Sequence, residues 1–199
     1  ASKMEALLAE IARAKHHVHI QYYIFCDDRT GCRLRDALVA KAREGVMVRI
    51  LYDDVGCSGV KKAFFEGMRR EGIEVFSFLH VKFPLFTSKV NYRNHRKIAI
   101  VDGRVGFIGG MNIADRYVRG TEWGSWRDTH FRIEGSGVAG LQIAFLSDWS
   151  ATTKQNIYAA AYYPAAERYT NDILQIVPSG PFGKWRALLQ ADSYAVSNA

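Results

Sequence analysis

Apolar positions change period several times along the chain, and each change predicts an element. Met4, Leu7, Leu8 and Ile11 recur at helical spacing, which predicts an amphipathic helix over residues 3–15. Ser2, with Glu5 three residues later, supplies a capping box for it. Val18, Ile20, Tyr22 and Ile24 alternate and predict a strand over 17–25. Leu34, Ala37 and Leu38 mark one face of a helix over 31–44, with Gly45 as its C-cap. Residues 46–52 form a nearly continuous apolar run, the pattern of a strand buried on both faces. A third helix over 60–70 ends at Gly72, and a strand over 73–78 follows. Strand and helix alternating at this spacing predict an α/β fold: a mixed, largely parallel β-sheet flanked by helices on both faces.

The rhythm then breaks. Residues 79–94 read as a long connection carrying Phe83, Phe86 and Tyr92 beside Lys82, Lys89 and Arg93. Its aromatics either fold back over the core or meet a headgroup layer. Apolar runs at 96–101 and 105–108 flank Asp102-Gly103, a hairpin signal. A short helical turn is expected at 113–118. A strand is expected at 128–134, with Thr129, Phe131 and Ile133 on one face. Val138, Leu141, Phe145 and Trp149 predict a helix over 136–150. Residues 151–170 show no clear period, and 173–177 read as a buried strand ended by Pro178-Ser179-Gly180-Pro181.

Composition adds three constraints. The 199 residues suggest one domain or one and a half, and 48% apolar with 24% charged suits a core-forming protein. A net charge of +7 favours anionic partners. Three cysteines without a C-x-x-C pair indicate neither a disulfide framework nor a zinc site and suggest a reducing compartment. No apolar run has the length of a membrane span and no signal peptide opens the chain, so any membrane anchor is expected outside this segment.

The chemistry concentrates in Asn94-His95-Arg96-Lys97-Ile98-Ala99-Ile100-Val101-Asp102-Gly103 and Gly109-Gly110-Met111-Asn112. Alternation along a strand places His95 and Lys97 on one face. A neutral imidazole attacks phosphorus, and a lysine supplies compact positive charge for phosphoryl oxygens. Asn112 offers an amide donor, while Gly109 and Gly110 permit close approach of an anion. No carboxylate cluster indicates a divalent metal, so metal-free chemistry without a cofactor is expected. A histidine nucleophile needs its second ring nitrogen held, by Asp128 or by Asp102, although Asp102 sits in the turn, where a purely structural role is the alternative to a catalytic one. Arg96 faces away from His95 and suits a structural ion pair, whereas Arg93 and Tyr92 are candidates for lipid contact. His17 and His19 share a strand face without further ligands, which favours a structural role. Asp53-Asp54 follows a buried strand, at whose carboxyl end ligands gather, so a catalytic role is one reading; a plain strand-end turn is the favoured one. H-x-K-x-x-x-x-D alone arises by chance in roughly one chain in a hundred, and adding Gly-Gly-x-Asn makes coincidence about a thousandfold rarer.

At His95, Lys97, Asp102, Gly109, Gly110 and Asn112 the chain resembles the phospholipase D superfamily, whose signature is the HKD motif, and within it the bacterial cardiolipin synthases. The resemblance extends through Tyr23-Ile24-Phe25, Leu51-Tyr52-Asp53-Asp54-Val55-Gly56, Asn91-Tyr92-Arg93-Asn94, Asn112-Ile113-Ala114-Asp115, Trp126-Arg127-Asp128-Thr129-His130 and Gln175-Ile176-Val177-Pro178. It implies a ping-pong phosphatidyl transfer. His95 forms a phosphohistidine, Lys97, Asn112 and Gly110 hold the phosphate, Asp128 orients the histidine, and Asp102 completes the motif. The donor would be phosphatidylglycerol and the acceptor a second phosphatidylglycerol or a related alcohol. The implied location is the cytoplasmic face of the bacterial inner membrane. The family joins two motifs in one site, and this chain has one. The acid histidine is therefore expected from a second half of a longer chain or from a homodimer mate. Ala187-Leu188-Leu189-Gln190 resembles Ala6-Leu7-Leu8-Ala9, which divides the chain into a first domain at 1–182 and the start of a second, truncated repeat or a tail at 183–199. Hydrolysis, including that of nucleic acid, is the alternative chemistry. The aromatic connection and the cardiolipin synthase stretches argue against nucleic acid. An inactive half-domain is the third reading.

Overall fold

The computed structural model describes residues 3–78, 93–122, 124–165 and 174–179, together with 190, 193, 194, 196 and 197. The Ser2 cap, most of the aromatic connection with Tyr92, and the leucine pair at 188–189 lie outside these residues.

A six-stranded mixed sheet forms the body. β1 (His17–Tyr22) lies at its centre, and β2 (Met47–Asp53) and β3 (Glu74–Phe78) follow on one side in parallel. On the other side β4 (Lys97–Val101), β5 (Val105–Gly109) and β6 (His130–Glu134) are each antiparallel to their neighbours. The expected mixed sheet is present, with its parallel part confined to β3-β2-β1. One consequence matters for function. The ends of β1, β2 and β5 and the starts of β4 and β6 share one edge, since Tyr22 pairs with Lys97 and Gly109 with His130.

Helices cover both faces, as the pattern required. α1 (Lys3–Arg13), α2 (Arg29–Arg43) and α3 (Lys62–Arg70) bury Leu7, Ile11, Leu34, Leu38, Phe65 and Met68 against Val18, Ile20, Ala99 and Val101. After a short α4 (Asp115–Arg119), α5 (Gly137–Thr153) packs Val138, Leu141, Phe145 and Trp149 against Leu51, Ile98 and Ile100. β4 therefore feeds alternate residues into two cores, and all five of its residues are buried. Each fully buried Leu, Ile or Phe contributes about 1.5–3 kcal/mol, so the strand carrying the motif is firmly held.

Local signals behave as their chemistry requires. The Asp28 side chain accepts from the Gly31 amide at 3.0 Å and starts α2. Asp102 and Gly103, at φ 53° and 64°, form the left-handed hairpin turn between β4 and β5.

Three segments depart from the sequence pattern in ways that bear on the site and its surroundings. β1 ends at Tyr22 rather than Phe25, because Asn112 captures the Ile24 amide and the chain turns to bridge Ile113. β6 starts at His130 rather than Asp128, whose carboxylate accepts from the Thr129 amide at 2.8 Å. Residues 174–177 are not in a strand. Leu174 is half exposed and Ile176 packs against α5 at Gly140, so this segment lies on the helix instead of joining the sheet.

Candidate active site

His95 stands just outside the sheet, two residues before β4 begins. It lies beside the carboxyl ends of β1 and β2, where open α/β sheets bind their ligands. Its ring packs on Tyr23 with centroids 4.2 Å apart. Lys97, 7% exposed, opens β4 and folds back on it. Its Nζ donates to the His95 carbonyl at 2.5 Å and lies 3.3 Å from His95 Nδ1 and 5.3 Å from the Tyr23 centroid. The expected pairing of His95 and Lys97 is therefore direct.

Burial lowers the His95 pKa from its usual value, and the charge of Lys97 lowers it further, while Asp53 partly opposes. The imidazole is accordingly neutral near pH 7, the form that attacks phosphorus. Burial also lowers the Lys97 pKa, and Asp128 partly restores it. With a protonated lysine donating to Nδ1, His95 carries its proton on Nε2. Attack through Nε2 requires Lys97 to leave Nδ1, and an arriving phosphate offers it a stronger acceptor.

Asn112 is buried at the same edge. Its Oδ1 accepts from the Ile24 amide at 3.0 Å, and its Nδ2 donates to the Tyr117 hydroxyl at 2.8 Å. An amide nitrogen carries two hydrogens, so one donor is left for a ligand.

Several expected roles meet a different geometry. Gly110 does not present a free backbone cradle. Its amide donates to the Thr129 carbonyl at 3.0 Å, and a Cβ on it would collide with the Asp128 carboxylate. The glycine is there to admit Asp128. Asp128 in turn exerts its field on Lys97, not on His95, and its Oδ2 accepts from Trp126 Nε1 at 3.4 Å. Arg93 does not reach out to lipid: its side chain is 8% exposed and its guanidinium lies 3.9 Å from Asp53.

Asp102 is corrected most clearly. It sits at the far end of β4, about 20 Å from His95 at strand rise. Its carboxylate accepts from the amides of Lys15, His16 and His17 at 2.8, 2.8 and 2.9 Å. It ties the hairpin turn to the start of β1, at the opposite end of β4 from Lys97. Asp102→Ala should lower unfolding stability by about 3 kcal/mol in urea, since three amides lose a charged acceptor. An unchanged midpoint would contradict this anchoring role.

Sequence reasoning missed the supports of the motif. Asp148 on α5 is a hub whose Oδ2 accepts from Gln21 Nε2 at 2.7 Å, from Asn94 Nδ2 at 2.5 Å and from Arg96. Arg96 thus makes the structural ion pair that alternation implied. Tyr23 and Tyr117 touch His95 and Asn112 respectively; Tyr23 was signalled only by its place in a family-like stretch, and nothing in the sequence marked Tyr117. His17 and His19 lie under α5, bonded to Gln142 at 3.4 and 2.8 Å.

Comparison with known proteins fits this picture. Residues 7–124 match the family model described as "Cardiolipin synthase, PLD-like domain". The chain is 42% identical over 189 residues to cardiolipin synthase 2 of Bacillus anthracis, covering 92% of this chain and 36% of that protein. It is 40% identical over 200 residues to the major cardiolipin synthase ClsA of Bacillus subtilis strain 168, covering 99% and 42%. It therefore spans only about two-fifths of such relatives. Among solved structures, Nuc of Salmonella typhimurium, a phospholipase D family member, superposes with a TM-score of 0.52 at 21% identity, covering 78% of this chain and 90% of that one. Phosphatidylserine synthase of Haemophilus influenzae Rd KW20 superposes with a TM-score of 0.59 at 17% identity, covering 83% and 38%.

Proposed function

The chain belongs to the cardiolipin synthase PLD-like domain family, and from that premise we propose that it is the half of a phosphatidyltransferase that carries the nucleophile. The observation that carries this reading is the neutral His95 ring in contact with the Lys97 ammonium at the ligand-binding edge of the sheet. His95 attacks the phosphorus of a phosphatidylglycerol donor. A P–N bond forms, the P–O bond to the glycerol headgroup breaks, and a second histidine from outside this chain protonates the leaving alcohol. That histidine then takes the proton of the acceptor hydroxyl, which displaces His95 and restores a phosphodiester. Lys97 and the remaining Asn112 donor neutralise the phosphoryl oxygens as charge builds on them.

The second histidine comes from the remainder of a longer chain, as the relatives' lengths suggest. A homodimer is the second reading, favoured by the coverage of 90% of Nuc. The proposed substrates are membrane lipids, so the site works at a membrane surface, and the reading assigns it to the cytoplasmic face of the inner membrane. Among the described residues no helix is long and apolar enough to cross a bilayer. Retention on vesicles containing phosphatidylglycerol should exceed retention on DNA at equal salt. Stronger retention on DNA would replace phosphatidyl transfer with phosphodiester hydrolysis of nucleic acid as the preferred reading.

A further inference from the structure

We propose that Asp53, at the carboxyl end of β2, is the positioning residue for His95, the role that family resemblance gave to Asp128. Asp53 is 1% exposed, so its charge is held deep in the protein. Burial of this kind is costly unless the carboxylate is paired and bonded. Its Oδ1 accepts from the amides of Val55 and Gly56 at 2.9 and 3.0 Å. Its Oδ2 faces Arg93 at 3.9 Å, and the Asn94 amide also stabilises the charged carboxylate. Arg93 and Asn94 are the two residues that lead into His95.

A second route reaches the ring itself. The turn that Asp53 caps runs from 53 to 57 and packs on Tyr23. The Cys57 thiol donates to the Tyr23 carbonyl at 3.6 Å, and Gly56 lies so close to that carbonyl that a Cβ would collide with it. Tyr23 is the ring on which His95 packs. Asp53 thus fixes both the backbone that delivers His95 and the surface that supports its imidazole. Among the described residues, the charged and titratable neighbours of that imidazole are Lys97 at the start of β4, Tyr23 just beyond β1, and Asp53 at the end of β2. Asp128 approaches from the β5–β6 side and serves Lys97. The two carboxylates divide the motif: one holds the nucleophile and the other the phosphate-binding lysine. The inference rests on the reading of His95 as nucleophile, but its test does not require turnover.

The test is a pH titration followed by NMR on the chain itself, observing the His95 imidazole and the carboxyl carbons of Asp53 and Asp128. The Asp53 carbon should show a step at the His95 midpoint and the Asp128 carbon none. This measurement needs no variant and stands even where substitution of Asp53 unfolds the protein. Asp53→Asn should move the His95 midpoint further down, and Asp128→Asn should leave it in place. A step on Asp128 alone, or a His95 midpoint untouched by Asp53→Asn in a folded protein, would overturn the proposal. In the assembled enzyme, Asp53→Asn should reduce kcat by about 10–100-fold at nearly constant KM, taking as a guide the loss seen when partners that orient metal-bound histidines are removed. A raised KM at unchanged kcat would likewise overturn it. An intact titration pattern without phosphoenzyme formation would reject the phosphatidyl-transfer reading and leave the positioning role standing.

Discussion

Replacing His95 with alanine in the assembled enzyme lowers turnover by at least about a thousandfold, with a much smaller effect on substrate binding. The size follows from the division of labour at the sheet edge. Lys97 and Asn112 remain to hold a phosphodiester, so ground-state affinity survives. The atom that forms the P–N bond is gone, and the methyl group that replaces the ring packed on Tyr23 offers neither a nucleophile nor a base. A thousandfold loss corresponds to about 4 kcal/mol of transition-state stabilisation. Turnover within tenfold of the parent protein would show that His95 is not the nucleophile. The kcat and KM of the variant, measured with phosphatidylglycerol vesicles, separate these outcomes.

The second large effect is on stability in mild acid. His17 and His19 are wholly buried beneath α5, and His19 stacks on Phe145 at 4.6 Å with Arg49 Nη1 3.4 Å from its Nε2. Arg49 is itself fixed by Glu74, by the Tyr162 hydroxyl at 2.7 Å and by the Trp149 ring. A proton on His19 would add a second cation beside a permanent one in a closed space. Burial accordingly lowers the His17 pKa from 6.5 to about 4, helped by His16, and lowers that of His19 well below 6.5.

Folded values below unfolded ones mean that the unfolded chain takes up protons first as pH falls. Stability contributed by the neutral histidines is therefore full above about pH 6.5 and drains away towards pH 4. At pH 5 the loss from His17 alone is about 2 kcal/mol, and His19 adds to it in the same direction. Few small domains can spare that much. Urea unfolding at pH 7.5 and pH 5 should show the drop, and His17→Gln should remove the His17 share of it. A pH-independent unfolding free energy across this interval would contradict the account.

Much of the architecture was legible because period and burial coincide. The run at 46–52 is apolar on both faces because β2 is covered by helices on both sides, and the Asp-Gly pair between two apolar runs could only be a tight turn. The motif was equally plain, since His95 and Lys97 are close in sequence and share a face. What sequence could not show were partnerships across the sheet. Asp53 looked like a turn residue, and it is one, but its carboxylate also meets Arg93 some forty positions later. Asp148 lay on a helix chosen by its apolar stripe, with nothing local to mark it as the acceptor for Gln21, Asn94 and Arg96. Gly110 was misread because a glycine serves a close-packed carboxylate as readily as a bound phosphate. Asp102 was grouped with the chemical residues because a motif groups residues by spacing, whereas a strand separates them by its length.

The central claim is that His95 carries the phosphatidyl group between donor and acceptor. The direct measurement is to quench the assembled enzyme during turnover of phosphatidylglycerol, digest it, and map the modified peptide by mass spectrometry. The account predicts an acid-labile adduct on His95 that disappears in His95→Ala. An adduct on any other residue, or one that persists in His95→Ala, would contradict it.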